Sequence, residues 1–362
     1  MVTENPTAFP VEQQLPSKGE NMMWSATTAT SAATRTRRSA KVQVADLLRR
    51  YPSSAAIMLF ILICIAFAIV DGTKFLSVTA WSDILSTSME LGIVAAGVVL
   101  LLIAGEFDLS VGANFALSAY LMARLIQSNI PGVVALLVCL GIGACIGALN
   151  GLITIRLRIP SFIATLGTYF VWSAAIFILT GGAELSIFKH SETLYLLGTA
   201  NLGGVSIGIV WWLVVVGILG VLLHGSKVGN WIYACGGKRS AAHETGVPVR
   251  QVLFGTFMIC GVTAALAGAV TLGQLKSIAP SYGSTYQLEA IAAAVVGGCS
   301  LFGGSGSMVA GVIGSLILVI LDVGLLLAGV GGSYYEGAIG VILIAVVAVY
   351  NKYVRSAGRT VT

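Results

Sequence analysis

Apolar residues run along the chain in ten segments, separated by polar or glycine-rich stretches. The segments cover about residues 54–70, 88–104, 111–127, 132–154, 162–180, 205–223, 252–274, 287–301, 307–328 and 336–350. A straight helix needs about 20 apolar residues to cross a bilayer, and several segments are shorter than that. We expect 287–301, the weakest, to enter the membrane without crossing it alone. The pattern predicts an all-α polytopic membrane protein with about ten transmembrane helices.

Composition narrows the class further. The chain has 362 residues, of which 57% are hydrophobic and 10% are charged, whereas soluble domains carry roughly 25% charged residues. Its 44 glycines suit the close helix packing of membrane proteins. A soluble enzyme is therefore excluded. With three histidines and six cysteines that lack metal-ligand spacing, we expect neither a metal site nor a catalytic site.

The basic residues predict the orientation. If the N-terminus lies in the cytoplasm, Lys and Arg concentrate in the inner loops and in the C-terminal tail, as the positive-inside rule requires for an even number of spans. We expect three regions: a polar, disordered cytoplasmic tail over 1–50, a transmembrane domain over 51–351, and a cytoplasmic C-terminal tail over 352–362.

A polar stretch interrupts the pattern between the second and third segments. Residues Gly105–Ala113 read GEFDLSVGA and place two carboxylates and a hydroxyl between apolar runs. Polar groups in hydrocarbon must be satisfied within the protein, so we predict a break at a membrane face or in a protein-lined cavity. Interrupted helices are common where transporters bind or gate solute. A similar break at Gly297–Gly304 favours two inverted repeats, although chance similarity in a glycine-rich chain accounts for it equally well.

Five polar residues are candidates for a translocation path or a gate. Asp108 and Ser110 suit capping of the helix that follows them. Glu106 has no nearby cation in its own loop and is a candidate gating residue. Asn114 lies inside a segment, where we expect an interior hydrogen bond. Asp322 lies within an apolar run, where a charge costs ~2.5–3.5 kcal/mol, so it must face the bundle, a pore or a partner subunit.

The longest basic loop, Lys227–Gln251, predicts a short helix. Ser240 is placed to cap a helix that runs through Thr245, Gly246 suits the left-handed end, and Pro248 suits the start of the next helix. A stiff helical elbow of this kind would dock a cytoplasmic partner. A solvated connector explains the same residues equally well.

The glycine pair within this loop is not a nucleotide site. Residues 236–239 read GGKR, which lacks the spacing and the final Ser or Thr of a phosphate-binding loop. Any ATP hydrolysis would therefore take place in another chain.

Four motifs together resemble the permease subunit of bacterial ribose/xylose-type sugar ABC importers. They are Gly105–Gly112 (GEFDLSVG), Pro160–Thr168 (PSFIATLGT), Gly236–Gly246 (GGKRSAAHETG) and Tyr286–Ser307 (YQLEAIAAAVVGGCSLFGGSGS). The likeness covers about residues 50–350. It implies a homodimer in the bacterial inner membrane, a cytoplasmic ABC ATPase that holds ATP and Mg, a periplasmic substrate-binding protein and a sugar-like solute.

The resemblance also implies which residues couple to the ATPase. The family inserts the loop like Gly236–Gly246 into a groove of the ATPase, which makes the coupling candidates Gly236, Gly237, Ala241, Ala242, Glu244 and Gly246. The first motif departs from the family's frequent Gly-Gly-Ile-Asp-Leu-Ser, because Glu106 and Phe107 precede Asp108. This departure leaves the sugar unidentified.

Other functions remain compatible with the residues. An ion-coupled secondary transporter would use Glu106, Asp108 or Asp322 as proton or sodium sites and would need no nucleotide. An ABC permease for a polyol or a purine nucleoside would share every motif. A scaffold or channel component would show no substrate-dependent transport.

Overall fold

The computed structural model describes residues 52–358, so the predicted tail over 1–50 lies outside the described residues. The elements in chain order are α1 Pro52–Val70, α2 Val78–Ile103, α3 Val111–Gln127, α4 Gly132–Leu157, α5 Ser161–Thr180, β1 Leu185–Ser186, α6 Glu192–Leu194, a π-helical turn Tyr195–Thr199, β2 Asn201–Leu202, β3 Val205–Ser206, α7 Gly208–Gly225, α8 Lys227–Gly237, α9 Arg239–Glu244, α10 Val249–Leu275, β4 Ser277–Ile278, α11 Tyr286–Val296, α12 Met308–Leu327 and α13 Ser333–Gly358.

Each of the ten predicted apolar segments corresponds to one helix. Six of these helices (α2, α4, α5, α7, α10 and α12) are long and apolar enough to cross a membrane. The structure is therefore that of an all-α polytopic membrane protein. The last helix, α13, continues to Gly358 and so includes part of the predicted C-terminal tail.

The start of α2 differs from the prediction, which placed the segment at 88–104. The helix begins ten residues earlier, at Val78, because the Ser77 side chain accepts a hydrogen bond of 3.1 Å from the amide of Ala80 and caps it. Residues 81–88 include several polar side chains, so they do not form an apolar run. They are helical nonetheless, with Ile84 fully buried on the inner side.

Helices α2 and α10 form the centre of the bundle. Residues 88–103 of α2 are all buried, and α10 packs closely against α4 through small residues. A methyl group added at Gly261 would lie 2.1 Å from the carbonyl oxygen of Gly143, and one added at Gly147 would lie 2.2 Å from that of Phe257. The main chains thus touch, as they do at glycine-rich crossings between membrane helices.

Helix α11 is too short to cross the membrane. Its 11 residues extend about 16 Å, against a hydrocarbon core of about 30 Å. The chain then turns and returns along α12. Gly297 contacts the main chain of Ala310 on α12, and Gly314 on α12 contacts that of Ala293 on α11. This agrees with the expectation that the segment does not cross alone.

The strands are minor additions to this helical fold. Strands β1 and β4 form one antiparallel pair, with Leu185 opposite Ile278, and β2 and β3 form a hairpin. Gln127, at the C-terminal end of α3, donates a hydrogen bond of 3.1 Å to the carbonyl oxygen of Ser186. The β1–β4 pair therefore lies at the end of the bundle where α3 terminates.

Candidate functional site

We call residues 227–248, which contain α8 and α9, the elbow. Ser226 caps its first helix by accepting a hydrogen bond of 3.2 Å from a backbone amide. The predicted left-handed end is confirmed, since Gly246 has φ +83°. One detail of the prediction is wrong: the second helix begins at Arg239, so Ser240 lies inside it and does not cap it. Pro248 stands at the start of α10 as its N-cap residue.

The elbow has one buried side and one exposed side. Ala242 and Val247 are buried, and a backbone hydrogen bond of 3.0 Å joins them. Gly236 and Ala241 are partly exposed. Between residues 236 and 248, the exposed residues are Gly237, Lys238, Arg239, Ser240, His243, Glu244, Thr245 and Gly246. Three of the six predicted coupling residues are therefore freely accessible to a partner, and Ala242 anchors the helix.

Two interrupted turns meet beneath the elbow. We call residues 104–110 the first turn and residues 297–307 the second turn. A methyl group at Gly236 would lie 1.8 Å from the carbonyl oxygen of Ile103 and 2.5 Å from the amide nitrogen of Gly304. One at Gly303 would lie 2.8 Å from the Cα of Gly105. We call this meeting of glycine main chains, from three motifs, the glycine junction.

Hydrogen bonds hold the junction together. The amide of Gly304 donates to the carbonyl of Ile103 at 2.9 Å, which joins the second turn to the first. The hydroxyl of Tyr233 donates to the carbonyl of Gly306 at 2.8 Å, which joins the elbow to the second turn. The elbow therefore contacts both turns directly.

An ion pair links the elbow to the first turn. Arg239 Nη2 lies 2.7 Å from Glu106 Oε1 and donates a hydrogen bond of 3.0 Å to the carbonyl of Gly105. The Glu106 side chain is 7% exposed and that of Arg239 is 48% exposed. The charges within the loop of Glu106 gave no signal of this pair, because its cation comes from the elbow.

Asp108 is the centre of a buried hydrogen-bond network. Its Oδ1 accepts hydrogen bonds from the amide and hydroxyl of Ser110 at 2.8 and 2.7 Å. The side-chain amide of Asn150 on α4 donates to both carboxylate oxygens at 3.1 Å, and Thr168 on α5 donates to Asn150 Oδ1 at 2.7 Å. The predicted capping role is wrong for Ser110, whose side chain bonds Asp108 and makes no cap hydrogen bond to α3. Asp108 does accept a backbone amide just before α3, that of Ser110.

The PSFIATLGT motif supports the backbone of the first turn. Ser161 Oγ accepts a hydrogen bond from the amide of Phe107, and Thr165 Oγ1 accepts one from the amide of Leu109, each at 3.0 Å. These hydroxyls satisfy amides that the helix break leaves without backbone partners. The first turn is thus fixed by side chains of α4 and α5.

The remaining path candidates differ in their surroundings. Asn114 is buried, donates to the carbonyl of Gly261 at 3.0 Å and accepts from Ser118 at 2.8 Å, so it joins α3 to α10. Asp322 is partly exposed on α12, and among the described side chains it has no hydrogen-bond or ion-pair partner. Of the five candidates, Asp322 is thus the one that these contacts leave without a partner.

A further pair joins the buried Glu90, midway along α2, to a partly buried tyrosine. The hydroxyl of Tyr286, at the start of α11, donates to Glu90 Oε2 at 2.8 Å, and the ring of Phe115 packs edge-on against that of Tyr286 at 5.2 Å. In the sequence, the carboxylate of Glu90 at the edge of an apolar run indicated a buried polar contact. It did not indicate the partner, which lies 196 positions away. Within the described residues, no group of three or more His, Cys, Asp or Glu side chains could hold a metal ion.

Comparisons with known proteins cover this whole region. Residues 80–347 match the family model described as "Branched-chain amino acid transport system / permease component". The ribose import permease protein RbsC of Escherichia coli (strain K12) is 33% identical over 314 residues, which are 84% of this chain and 97% of the relative. The fructose import permease protein FrcC of Rhizobium meliloti is 31% identical over 312 residues, which are 83% of this chain and 86% of the relative.

A third relative is similar to this chain over a comparable length. The galactose/methyl galactoside import permease protein MglC of Haemophilus influenzae is 31% identical over 321 residues, which are 84% of this chain and 94% of the relative. No solved structure is significantly similar to the chain. The family match contains both turns and the elbow, and it covers well over half of the chain. The chain therefore belongs to the permease-component family of branched-chain amino acid transport systems.

Proposed function

We propose that the chain is the permease subunit of an ABC importer and moves a sugar or sugar-like solute across the bacterial inner membrane. The family description mentions branched-chain amino acids, but the three relatives described above, which each match more than four-fifths of the chain, are named for ribose, fructose and galactose. The observation that carries the proposal is the direct packing of an exposed elbow on two interrupted membrane turns.

The coupling begins on the exposed side of the elbow. A cytoplasmic ABC ATPase, which binds ATP and Mg, receives Gly237, Glu244 and Gly246 in a groove. Phe302 of the second turn is 82% exposed and precedes Gly303 at the junction, so it adds an apolar group to the same surface. Closure of the ATPases pushes the elbow, and the glycine junction passes the movement to both turns.

Glu106 serves as the link between ATPase and path. Its ion pair with Arg239 attaches the first turn to the elbow. When α9 is displaced, the first turn therefore moves with it. Asp108, Ser110 and Asn114 keep α3, α4, α5 and α10 in register around the path, because their polar atoms are hydrogen bonded within the protein. Together with Glu106, these three residues act on gating by holding the helices in position, and they do not bind solute.

Asp322 faces the path or a second copy of the chain. A charge that is partly exposed on a membrane helix is stable only beside water or protein, which favours a homodimer with the path at its interface. A periplasmic binding protein docks at the opposite end of the bundle, beside the β1–β4 pair. Both termini then lie in the cytoplasm.

The test measures uptake of labelled ribose, fructose and galactose by cells that express the chain with its genomic neighbours. We expect uptake that survives an ionophore and stops on ATP depletion. Gly246→Pro should abolish it, because proline cannot adopt φ +83° or donate the Gly246 amide hydrogen bond to His243 at 3.0 Å. Gly246→Asn tolerates the left-handed conformation better and should retain more uptake than Gly246→Pro.

Two results would contradict the proposal. Uptake that an ionophore abolishes and ATP depletion spares would indicate an ion-coupled transporter, with unpartnered Asp322 as its leading ion site. Normal uptake by a membrane-inserted Gly246→Pro variant would refute the coupling role of the elbow.

A further inference from the structure

A cavity opens between α4 and α10 at the end of the bundle where the elbow lies. Its volume is about 650 Å³, within the range of about 300–1,000 Å³ that is typical of small-molecule sites. The lining residues that matter are Leu152, Arg156, Arg158, Arg250, Phe254 and Gly255. The glycine junction contributes nothing to this lining.

The cavity exists because two closely packed helices diverge. Main-chain contact at Gly143 and Gly261 brings α4 and α10 together, and a methyl group added at Gly151 would still lie 3.2 Å from the Cβ of Phe257. Two residues before Phe257 on α10, a methyl group at Gly255 would meet no atom within 4 Å. The gap therefore lies between the last turn of α4 and the first turn of α10.

Three arginines surround the open end of this gap. Arg156, Arg158 and Arg250 are exposed, and among the described side chains none of them has a carboxylate partner. Arg158 also has φ +57°, a left-handed conformation that non-glycine residues rarely adopt. Three guanidinium groups repel one another unless an anion lies between them, and guanidinium is well suited to phosphate.

Two exposed apolar side chains also line the cavity. Leu152 is 46% exposed and Phe254 is 36% exposed, and both line the cavity. A free phosphate ion would make no favourable contact with the apolar side chains, and a neutral sugar would not need three cations. A molecule with an anionic phosphate at one end and hydrocarbon at the other satisfies both parts of the cavity.

We propose that this cavity binds an anionic phospholipid. The phosphate lies among Arg156, Arg158 and Arg250, and an acyl chain follows Leu152 and Phe254 between the two helices. Basic pockets between helices at the cytoplasmic face are a known mode of lipid head-group recognition. The site requires neither the ATPase nor the solute, so it stands independently of the transport proposal.

The test measures thermal unfolding of the full-length protein in neutral detergent with three additions: phosphatidylglycerol, phosphatidylcholine and inorganic phosphate. Phosphatidylglycerol should raise the Tm of the wild type by about 2–4 °C or more, and the other two should not. A Cβ added at Gly255 would meet no atom within 4 Å, so Gly255→Leu, which places a leucine side chain at the cavity and leaves every charge in place, should fold and reduce the shift.

A second variant addresses the head group. Replacing Arg156, Arg158 and Arg250 together by Lys preserves the charges that orient the chain but removes the bidentate fork, so it should reduce the shift. The matched control is Arg124→Lys, an exposed arginine near the end of α3, which should keep the full shift. Three results overturn the proposal: no shift in the wild type, an equal shift with phosphate or phosphatidylcholine, or a full shift in Gly255→Leu.

Discussion

Glu106 shows how one carboxylate can connect segments that are far apart in the chain. It is nearly buried, and its cation, Arg239, is half exposed on the elbow. The two side chains are therefore not equivalent. Loss of Glu106 leaves a cation that water can solvate, whereas loss of Arg239 leaves a buried, uncompensated charge.

This asymmetry predicts the outcome of a double-mutant cycle. Arg239→Gln should destabilise the protein by about 1–3 kcal/mol, Glu106→Gln should cost less, and the double variant should cost less than the sum of the two. Thermal unfolding of the three purified variants measures the stabilities, and ATP-dependent uptake in cells measures coupling. Strict additivity, with normal uptake, would show that the pair does not link the elbow to the first turn.

Asp108 shows how far the surroundings of a single residue can be inferred from sequence. Its polarity and position correctly indicated that its charge must be satisfied inside the protein. The expected partner was the adjacent helix end, because capping depends only on neighbours in sequence. That local partner is present, since Asp108 accepts the amide of Ser110. A second partner, Asn150, lies 42 positions away on a helix whose orientation no local pattern reveals.

At the scale of elements, apolar length predicted ten helices and local chemistry predicted the end of the elbow. Gly246 was identifiable because a left-handed helix end favours glycine whatever the tertiary structure. The first turns of α2 were missed because residues 81–88 are polar yet helical. The glycine junction could not be predicted, since glycine in sequence does not reveal which main chain will approach it.

The junction predicts opposite effects for two adjacent glycines. Gly236→Ala places a methyl group 1.8 Å from a carbonyl oxygen, whereas Gly237→Ala places one in open space. We expect Gly236→Ala to separate the elbow from the turns and to lower the Tm by several degrees, and we expect Gly237→Ala to leave the Tm unchanged. Equal Tm values for the two purified variants would contradict the packing described for the junction.

At the scale of the whole molecule, the features described above lie at different levels along the bundle. The elbow and the glycine junction lie at one end, the Glu90–Tyr286 pair lies midway along α2, and the β1–β4 pair lies at the other end. The described chain has an exposed docking surface that contacts both interrupted turns, and its only candidate phosphate loop lacks the required spacing. Under the proposed function, the energy for transport comes from a partner that docks on the elbow.

The most direct test of this account is co-purification. The chain would carry a C-terminal tag, be extracted in mild detergent from its native host, and be assayed for stoichiometric partners and for ATP hydrolysis. The account predicts an ABC ATPase that remains bound to the wild type and hydrolyses ATP, and that is lost or uncoupled in Gly246→Pro. A gently extracted preparation that contains no ATPase and hydrolyses no nucleotide would contradict it.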